Sequence, residues 1–376
     1  MRRSGLSKIS LAVLCVPAAL VAQTLTREGG RWVQTITGTT PAAARLRVNS
    51  QGPVHLEGRA ANEITYTAKL SVQVRSEDDA RRILSRYALR VASAGDLVVL
   101  TAPGGPVATT LSIRAPRLNA ATITTPDGGI EANAIDGILE VTTGAGEVKC
   151  DRIRGDCNLS TGGGDIQTGE VDGDLQASTA GGRIMVKNVR GDAVLQTAGG
   201  DVEVTDAGST VHADTAGGTI RVGSAGGAVS ASTGGGSIIV GKAGGIVTAR
   251  NVAGPVQVGA AAGVRCESGT GGIRVSNISG PMDVSTAFGS IVASLLSGRP
   301  LSDSFLATGN GDITALIPSN VGVTIRAQSD RRIVSDFPGV TVRVRGPLVV
   351  AEGAVNGGGP VLRISGAGGT INIKRQ

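Results

Sequence analysis

The feature that most constrains the fold is a glycine that returns every nine residues. It stands at Gly128, Gly137, Gly146, Gly155, Gly164, Gly173, Gly182, Gly191 and Gly200, and resumes at Gly218, Gly227, Gly236, Gly245, Gly254, Gly263 and Gly272. Ser209 breaks the series, with Gly208 beside it. A fixed short period marks a solenoid, whose repeats bury their apolar faces on one another. Two nine-residue halves make a coil of eighteen. Coils start at Ala120, Ile138, Asp156, Asp174, Asp192, Thr210, Ala228 and Ile246; a coil of seventeen starts at Val264 and a last coil of eighteen at Pro281.

Each half-coil continues with alternating apolar residues, as in Leu175/Ala177, Ile184/Val186, Val202/Val204 and Ile220/Val222. A period of two is a strand with one buried face. Helix is excluded, because regular glycine and β-branched residues both disfavour it. Each coil therefore holds two short strands joined at glycine corners, where positive φ or close backbone approach is needed. Val189, Ile153 and Ile278 fill one corner. Like strands pair along the stack, placing Leu175 over Ala193 and Ile184 over Val202. Crossover chirality selects a right-handed parallel β-solenoid. A left-handed hexapeptide helix needs an apolar residue every six, and Leu175, Gly181 and Lys187 do not supply it. With 40% hydrophobic residues the chain is no disordered glycine linker, and with 2% aromatics its core is thin.

The chain divides into four segments. Residues 1–22 read as a signal peptide, with a basic start, the short apolar run ISLAVLCVPAALVA and cleavage after Ala22. Leu14 stands where a lipobox before Cys15 needs a small residue. Residues 23–119 form a β-rich cap with one helix at 76–87, where Ser76 is the N-cap and Asp79 the capping-box residue. Residues 120–298 are the solenoid of about ten coils, and 299–376 a β-rich continuation and cap. Caps close the strand edges that a bare solenoid end would offer to other chains. The fold class is all-β.

Several stretches carry a resemblance: the signal peptide, the opening RVNSQGPVHLEG, the helix among the strands of the first third, the TAGGxIxV units, GNGDITALIPSNVGVTIRAQ and the closing SGAGGTINIKRQ. With these the chain resembles the bacterial DUF4097 family, β-strand-repeat proteins that carry an adhesin label. The resemblance covers most of the chain. It implies a β-solenoid in the cell envelope and brings no catalytic or binding residues with it.

The residues themselves assign no catalytic site and no cofactor. His55 and His212 are the only histidines, too few for a zinc cage. His212 and Asp214 share the outer face of one strand, which reads as a solvated pair rather than the core of a triad. Asp156, Asp174 and Asp192 recur at one coil position and Asp165 and Asp201 at another. Such a carboxylate ladder suits calcium, but Gly-Asp is also good corner chemistry, and the Gly-Gly-x-Gly-x-Asp pattern of calcium-binding repeats is missing. Cys150 and Cys157 fall on inward positions of adjoining half-coils and form a candidate disulfide, or stay buried thiols like Cys266. A polysaccharide-active enzyme needs paired carboxylates and sugar-stacking rings, and the coils hold only Phe288.

Charge is unevenly spread. Residues 23–119 carry 13 basic and 7 acidic side chains, 120–298 carry 11 and 18, and 299–376 carry 9 and 5, giving +6, −7 and +4. Basic caps suit anionic lipid or polysaccharide. Arg81, Arg82 and Arg86 lie on the helix, and Arg326, Arg331, Arg332, Arg343 and Arg345 in the last third. An acidic repeat without stacking rings excludes nucleic acid. The expectation is an exported, non-catalytic interaction surface in the periplasm or at the cell surface, its partner an envelope polymer or protein. Self-association into an envelope scaffold is the alternative.

Overall fold

A computed structural model describes residues 21–296 and 302–376, with side chains from Leu25 onward. The expected signal peptide thus lies outside the described residues, apart from Val21 and Ala22, which open the first strand. The chain is an all-β solenoid of 18-residue coils with one short helix. Its contacts form two compact units, Met1–Lys149 with Ile153–Gly155, and Cys150–Arg152 with Asp156–Gln376.

In the first unit β1 (Val21–Glu28) and β2 (Arg31–Pro41) form an antiparallel hairpin. There follow β3 (Arg45–Asn49), β4 (Val54–Gly58), β5 (Glu63–Val72), the helix α1 (Glu77–Leu84), β6 (Arg90–Ala94), β7 (Leu97–Thr101) and β8 (Ala108–Ala115). The regular coils begin with β9 (Ala120–Thr125), β10 (Ile130–Ile135) and β11 (Ile138–Thr143). Spatial order departs from chain order here. β3 lies between β7 and β9, parallel to both, and β4 lies between β8 and β10. The first coil of the chain is therefore sandwiched, and both edges of its strands are paired. Beyond it, β6 runs antiparallel to β7, while the other sheet is extended by β5 antiparallel to β8 and then by β2 antiparallel to β5.

The helix is shorter than expected. Ser76 Oγ accepts the Asp79 N–H at 3.1 Å and its hydroxyl donates to the Asp79 carboxylate at 2.7 Å. The helix stops at Leu84, because Arg86 and Tyr87 bond to Ile83 and Leu84 in tighter turns. It packs against β5 and β2 and buries Ala80 and Leu84.

The strand β12 (Val148–Ile153) contributes Cys150–Arg152 to the second unit. Sixteen strands follow, from β13 (Cys157–Thr161) to β28 (Ile291–Leu295), odd-numbered ones in one sheet and even-numbered ones in the other. Register is parallel and offset by eighteen: Leu175 pairs with Ala193, Ile184 with Val202 and Val211 with Val229. Inward positions of both sheets are filled mainly by Leu, Ile, Val and Ala at 5% exposure or less, Leu195, Val204 and Val222 at 0%. The glycine period has one dominant cause. A Cβ on Gly200 would lie 2.0 Å from the Gly182 carbonyl oxygen, and Gly182, Gly218 and Gly236 are placed alike. Close approach of coils requires these glycines. The preceding Gly199 meets nothing nearer than 4.0 Å.

Coil length differs in one place from the sequence reading. The coil of seventeen is the one that starts at Ile246: Ile246 pairs with Gly263 and Val247 with Val264, whereas Val264 pairs with Met282 at the full eighteen. The residue is lost at a corner, where Ala262 alone stands opposite Gly244 and Gly245, after Lys242 has paired with Ala260 in step. Coils also continue past residue 298. β29 (Ser304–Asn310) and β30 (Ile313–Ile317) stack at an offset of 22, Val284 on Leu306 and Ile291 on Ile313.

After β31 (Val323–Ser329) and β32 (Arg332–Ser335), the chain forms a hairpin of β33 (Val340–Arg345) and β34 (Leu348–Val355). It then returns as β35 (Val361–Gly366) and β36 (Thr370–Arg375). β35 inserts between β29 and β31, and β36 between β30 and β32. The last coil of the chain is sandwiched, as the first one is in the other unit. A terminal coil paired on both edges cannot fray alone, which is a reason for the shared device.

Candidate functional site

Corner polar groups are engaged in building coils. The buried hydroxyls of Thr179, Thr197, Thr215 and Thr233 donate to the carbonyls of Gly164, Gly182, Gly200 and Gly218 at 2.8–2.9 Å. Each also accepts the N–H of the glycine three residues on, at 3.1–3.2 Å. Asn251 takes the place of threonine and donates to both Gly236 and Gly254. At Ser268 the same position holds a hydroxyl without a partner. The sequence reading missed this ladder; its signal is the recurrent T-x-x-G, which glycine periodicity overshadows.

The aspartate ladder has the same kind of role. Asp156 Oδ1 accepts the Asp174 N–H at 3.0 Å, Asp174 Oδ1 the Asp192 N–H at 2.8 Å, and Asp192 Oδ1 the Thr210 N–H at 3.0 Å. Asp165 and Asp201 bond to the N–H groups of Arg183 and Thr219 in the same way. The Ser209 hydroxyl and the Thr210 N–H hold the Asp192 carboxyl below its ordinary range. Each carboxylate caps a corner amide of the next coil. Among the described residues no three His, Cys, Asp or Glu side chains gather as a metal set.

The three cysteines of the described chain are buried, and no disulfide joins them. Cys150 sits in the middle of β12 and Cys157 opens β13, on opposite sheets. Burial, with the charge of Asp283 added, pushes the Cys266 thiol up to about 12. His212 Nε2 meets Asp214 Oδ2 at 2.8 Å on the outer face, and His55 Nδ1 meets Glu131 at 2.8 Å; both pairs are solvated.

What faces outward is a set of columns in register. One runs Ser160, Ser178, Gln196, Asp214 and Ser232 along the odd-numbered sheet. Beside it the chain turns inward at Thr161, Thr179, Thr197 and Thr215 and out again at Ala180, Ala198 and Ala216. All of these residues except Ser160 line a shallow groove of about 540 Å³. It crosses five coils, with hydroxyl, carboxamide and carboxylate groups repeating at roughly the 4.8 Å spacing of paired strands. The Ser178 hydroxyl bonds to that of Ser160 at 3.3 Å. Asp214 is the one charge in the groove, and His212 pairs with it.

The basic ends differ in how their charge is used. Arg81 and Arg82 pair with Glu77 and Asp79 on the helix, and Arg45 pairs with Asp96 at 2.8 Å. Among the described residues Arg326, Arg331, Arg332, Arg343 and Arg345 have no ion-pair partner. No described helix is long and apolar enough to cross a membrane.

No family model matches this chain, and no curated protein matches it. Solved structures similar to it include a "putative adhesin" from Bacteroides fragilis, at 13% identity over 70% of this chain and 97% of that one, with a TM-score of 0.33. Another is a "putative cell adhesion protein" from Clostridium sporogenes, at 10% identity over 90% and 99%, TM-score 0.18. A third is a "putative adhesin" from Parabacteroides distasonis, at 9% identity over 91% and 97%, TM-score 0.28. Similarity this low carries no argument about function.

Proposed function

We propose that the chain is a non-catalytic, adhesin-like interaction module of the cell envelope, and that the groove across five coils binds an extended polar polymer. The groove carries this reading. Its lining is spaced with the coil, and an extended polymer with its own regular repeat can meet a polar side chain at each step. The corner threonines and aspartates are occupied by backbone bonds, which leaves the outward columns as the chemistry the surface offers. A lining rich in hydroxyl and carboxamide groups, with one paired carboxylate, suits an uncharged polysaccharide. Export to the periplasm or the cell surface is part of the proposal.

The test is a binding titration of the purified chain against a panel of envelope polysaccharides. Gln196→Arg places a long side chain in the groove, and Gln257→Arg changes an exposed residue on the other sheet. The reading predicts saturable binding that Gln196→Arg abolishes and Gln257→Arg leaves unchanged. No binding, with filaments in the electron microscope, would replace it with a self-assembling scaffold.

A further inference from the structure

We propose that the β33–β34 hairpin docks onto an anionic lipid bilayer. This deepens the envelope reading by adding a second surface with its own partner.

The hairpin is exposed in a way no other strand pair of the second unit is. Among the described residues β33 pairs only with β34, so its outer edge is open. Every residue from Thr341 to Leu348 is exposed. Cross-strand register places Val342 opposite Ala351 and Val344 opposite Val349, so these four share a face. Ala351 is buried where that face meets the coil, but Val342 is 41% and Val344 76% exposed. The other face carries Arg343 and Arg345, with Leu348 opposite Arg345. The turn is tight at Gly346, whose φ of +58° favours glycine, and Pro347 follows. In the first unit the strands that overhang the coils have α1 packed on them; no helix packs on β33 and β34.

Charge selects the partner. No Asp or Glu occurs between Asp336 and Glu352, Glu352 stands opposite Thr341 at the far end of the arginine face, and among the described residues neither Arg343 nor Arg345 has an ion-pair partner. The surface they fit is anionic. It is also one with an apolar phase: a hairpin that enters by its open edge and turn presents Val342 and Val344 on one face and Leu348 with the arginines on the other. A polysaccharide offers aliphatic side chains nothing to enter, whereas an acyl boundary below anionic headgroups takes both. A second copy fits less well. Antiparallel pairing of two β33 edges with matched valine faces sets Arg343 directly against Arg343 in one of its two most central registers and diagonal to it in the other, and like charges directly opposite are destabilising.

Sedimentation of the full chain with vesicles tests this, since any contribution of residues 1–22 is common to every sample. Vesicles of phosphatidylcholine with phosphatidylglycerol are compared with phosphatidylcholine alone. Wild type is expected to bind the anionic vesicles and to lose binding as salt rises. Arg343→Glu with Arg345→Glu should weaken binding about tenfold or more, and Val344→Asn should weaken it severalfold, with circular dichroism unchanged. Equal binding by wild type and both variants overturns the proposal, as does no binding to either vesicle. A wild-type dimer that Val344→Asn converts to monomer, with no vesicle binding, assigns the face to a second copy instead. Gln196→Arg should leave vesicle binding intact, so failure here and failure of the groove reading are separable.

Discussion

The Thr197 hydroxyl donates to the Gly182 carbonyl of the preceding coil at 2.9 Å. The same oxygen accepts the Gly200 N–H of its own coil at 3.2 Å. One side chain thus ties two coils at a corner where the backbone has left its sheet and lost its ladder partners. Repeated at Thr179, Thr215 and Thr233, the bond explains why small polar residues lie inside an otherwise aliphatic core.

Threonine to valine should therefore have opposite signs at two buried sites. Thr197→Val leaves a carbonyl and an N–H without partners and should cost about 1–3 kcal/mol. The Thr168 hydroxyl is buried with no partner, and the equivalent positions in the next coils are Val186 and Val204. Thr168→Val should stabilise by about 1 kcal/mol or more. Urea unfolding of the two variants checks this; equal effects would mean the hydroxyl ladder carries no stability.

Neighbouring glycines should respond unequally to alanine. Gly200→Ala drives a Cβ to 2.0 Å from a backbone oxygen, and Gly199→Ala meets only an atom at 4.0 Å. The first should lower stability by about 1–3 kcal/mol through forced backbone shifts. The second should stay within about 0.5 kcal/mol. Thermal unfolding of the pair reads the difference.

Acid should act on the aspartate corners. Folding lowers the Asp192 pKa from its ordinary 3.8, chiefly through the Ser209 hydroxyl and then the Thr210 N–H. The bonded carboxylate thus favours the folded state above pH 3.8, and that contribution is lost as pH falls through the lowered folded value. Asp192→Asn removes the titration. Its stability relative to wild type should rise between about pH 5 and pH 2, measured by urea midpoints across that range.

Cys266 should resist thiol reagents. Its pKa is raised from 9.0 to about 12, chiefly by burial. Folding favours the neutral thiol, so this contribution to stability is fully present below pH 9.0 and lost as pH rises to about 12. At pH 8 the native protein should react at none of Cys150, Cys157 and Cys266. In denaturant without reductant, the chain from Gln23 onward should titrate three thiols. A count of one would show that Cys150 and Cys157 are bridged.

Periodicity made the coils legible, because glycine at nine and alternation at two leave one architecture that buries the apolar face of both strands in a coil. The register of Leu175 over Ala193 follows from it directly. What periodicity hides is anything that keeps the count but changes the geometry. The short coil is misplaced because Gly254 and Gly263 hold the nine-residue frame across a corner where Ala262 has replaced two residues. The sandwiched coils, β3/β4 in one unit and β35/β36 in the other, look like any other strands; chain order carries no signal of an insertion between earlier neighbours. The register that stacks Leu175 on Ala193 also stacks Ser178 on Gln196 in one column, but the groove needs a fact the sequence does not hold, that the turn at Ala198 leaves a hollow beside that column.

The account rests on the coil as an interchangeable unit, and deletion of Asp174–Gly191 tests it most directly. Removing these eighteen residues sets Asp192 where Asp174 was, with the Asp156 carboxylate to cap its N–H and the Gly164 carbonyl to receive the Thr197 hydroxyl. Equilibrium unfolding followed by far-ultraviolet circular dichroism should show a β-rich chain with one cooperative transition close to that of wild type. A deletion variant that is unfolded, or that melts without cooperativity, would contradict the stacking described for these coils.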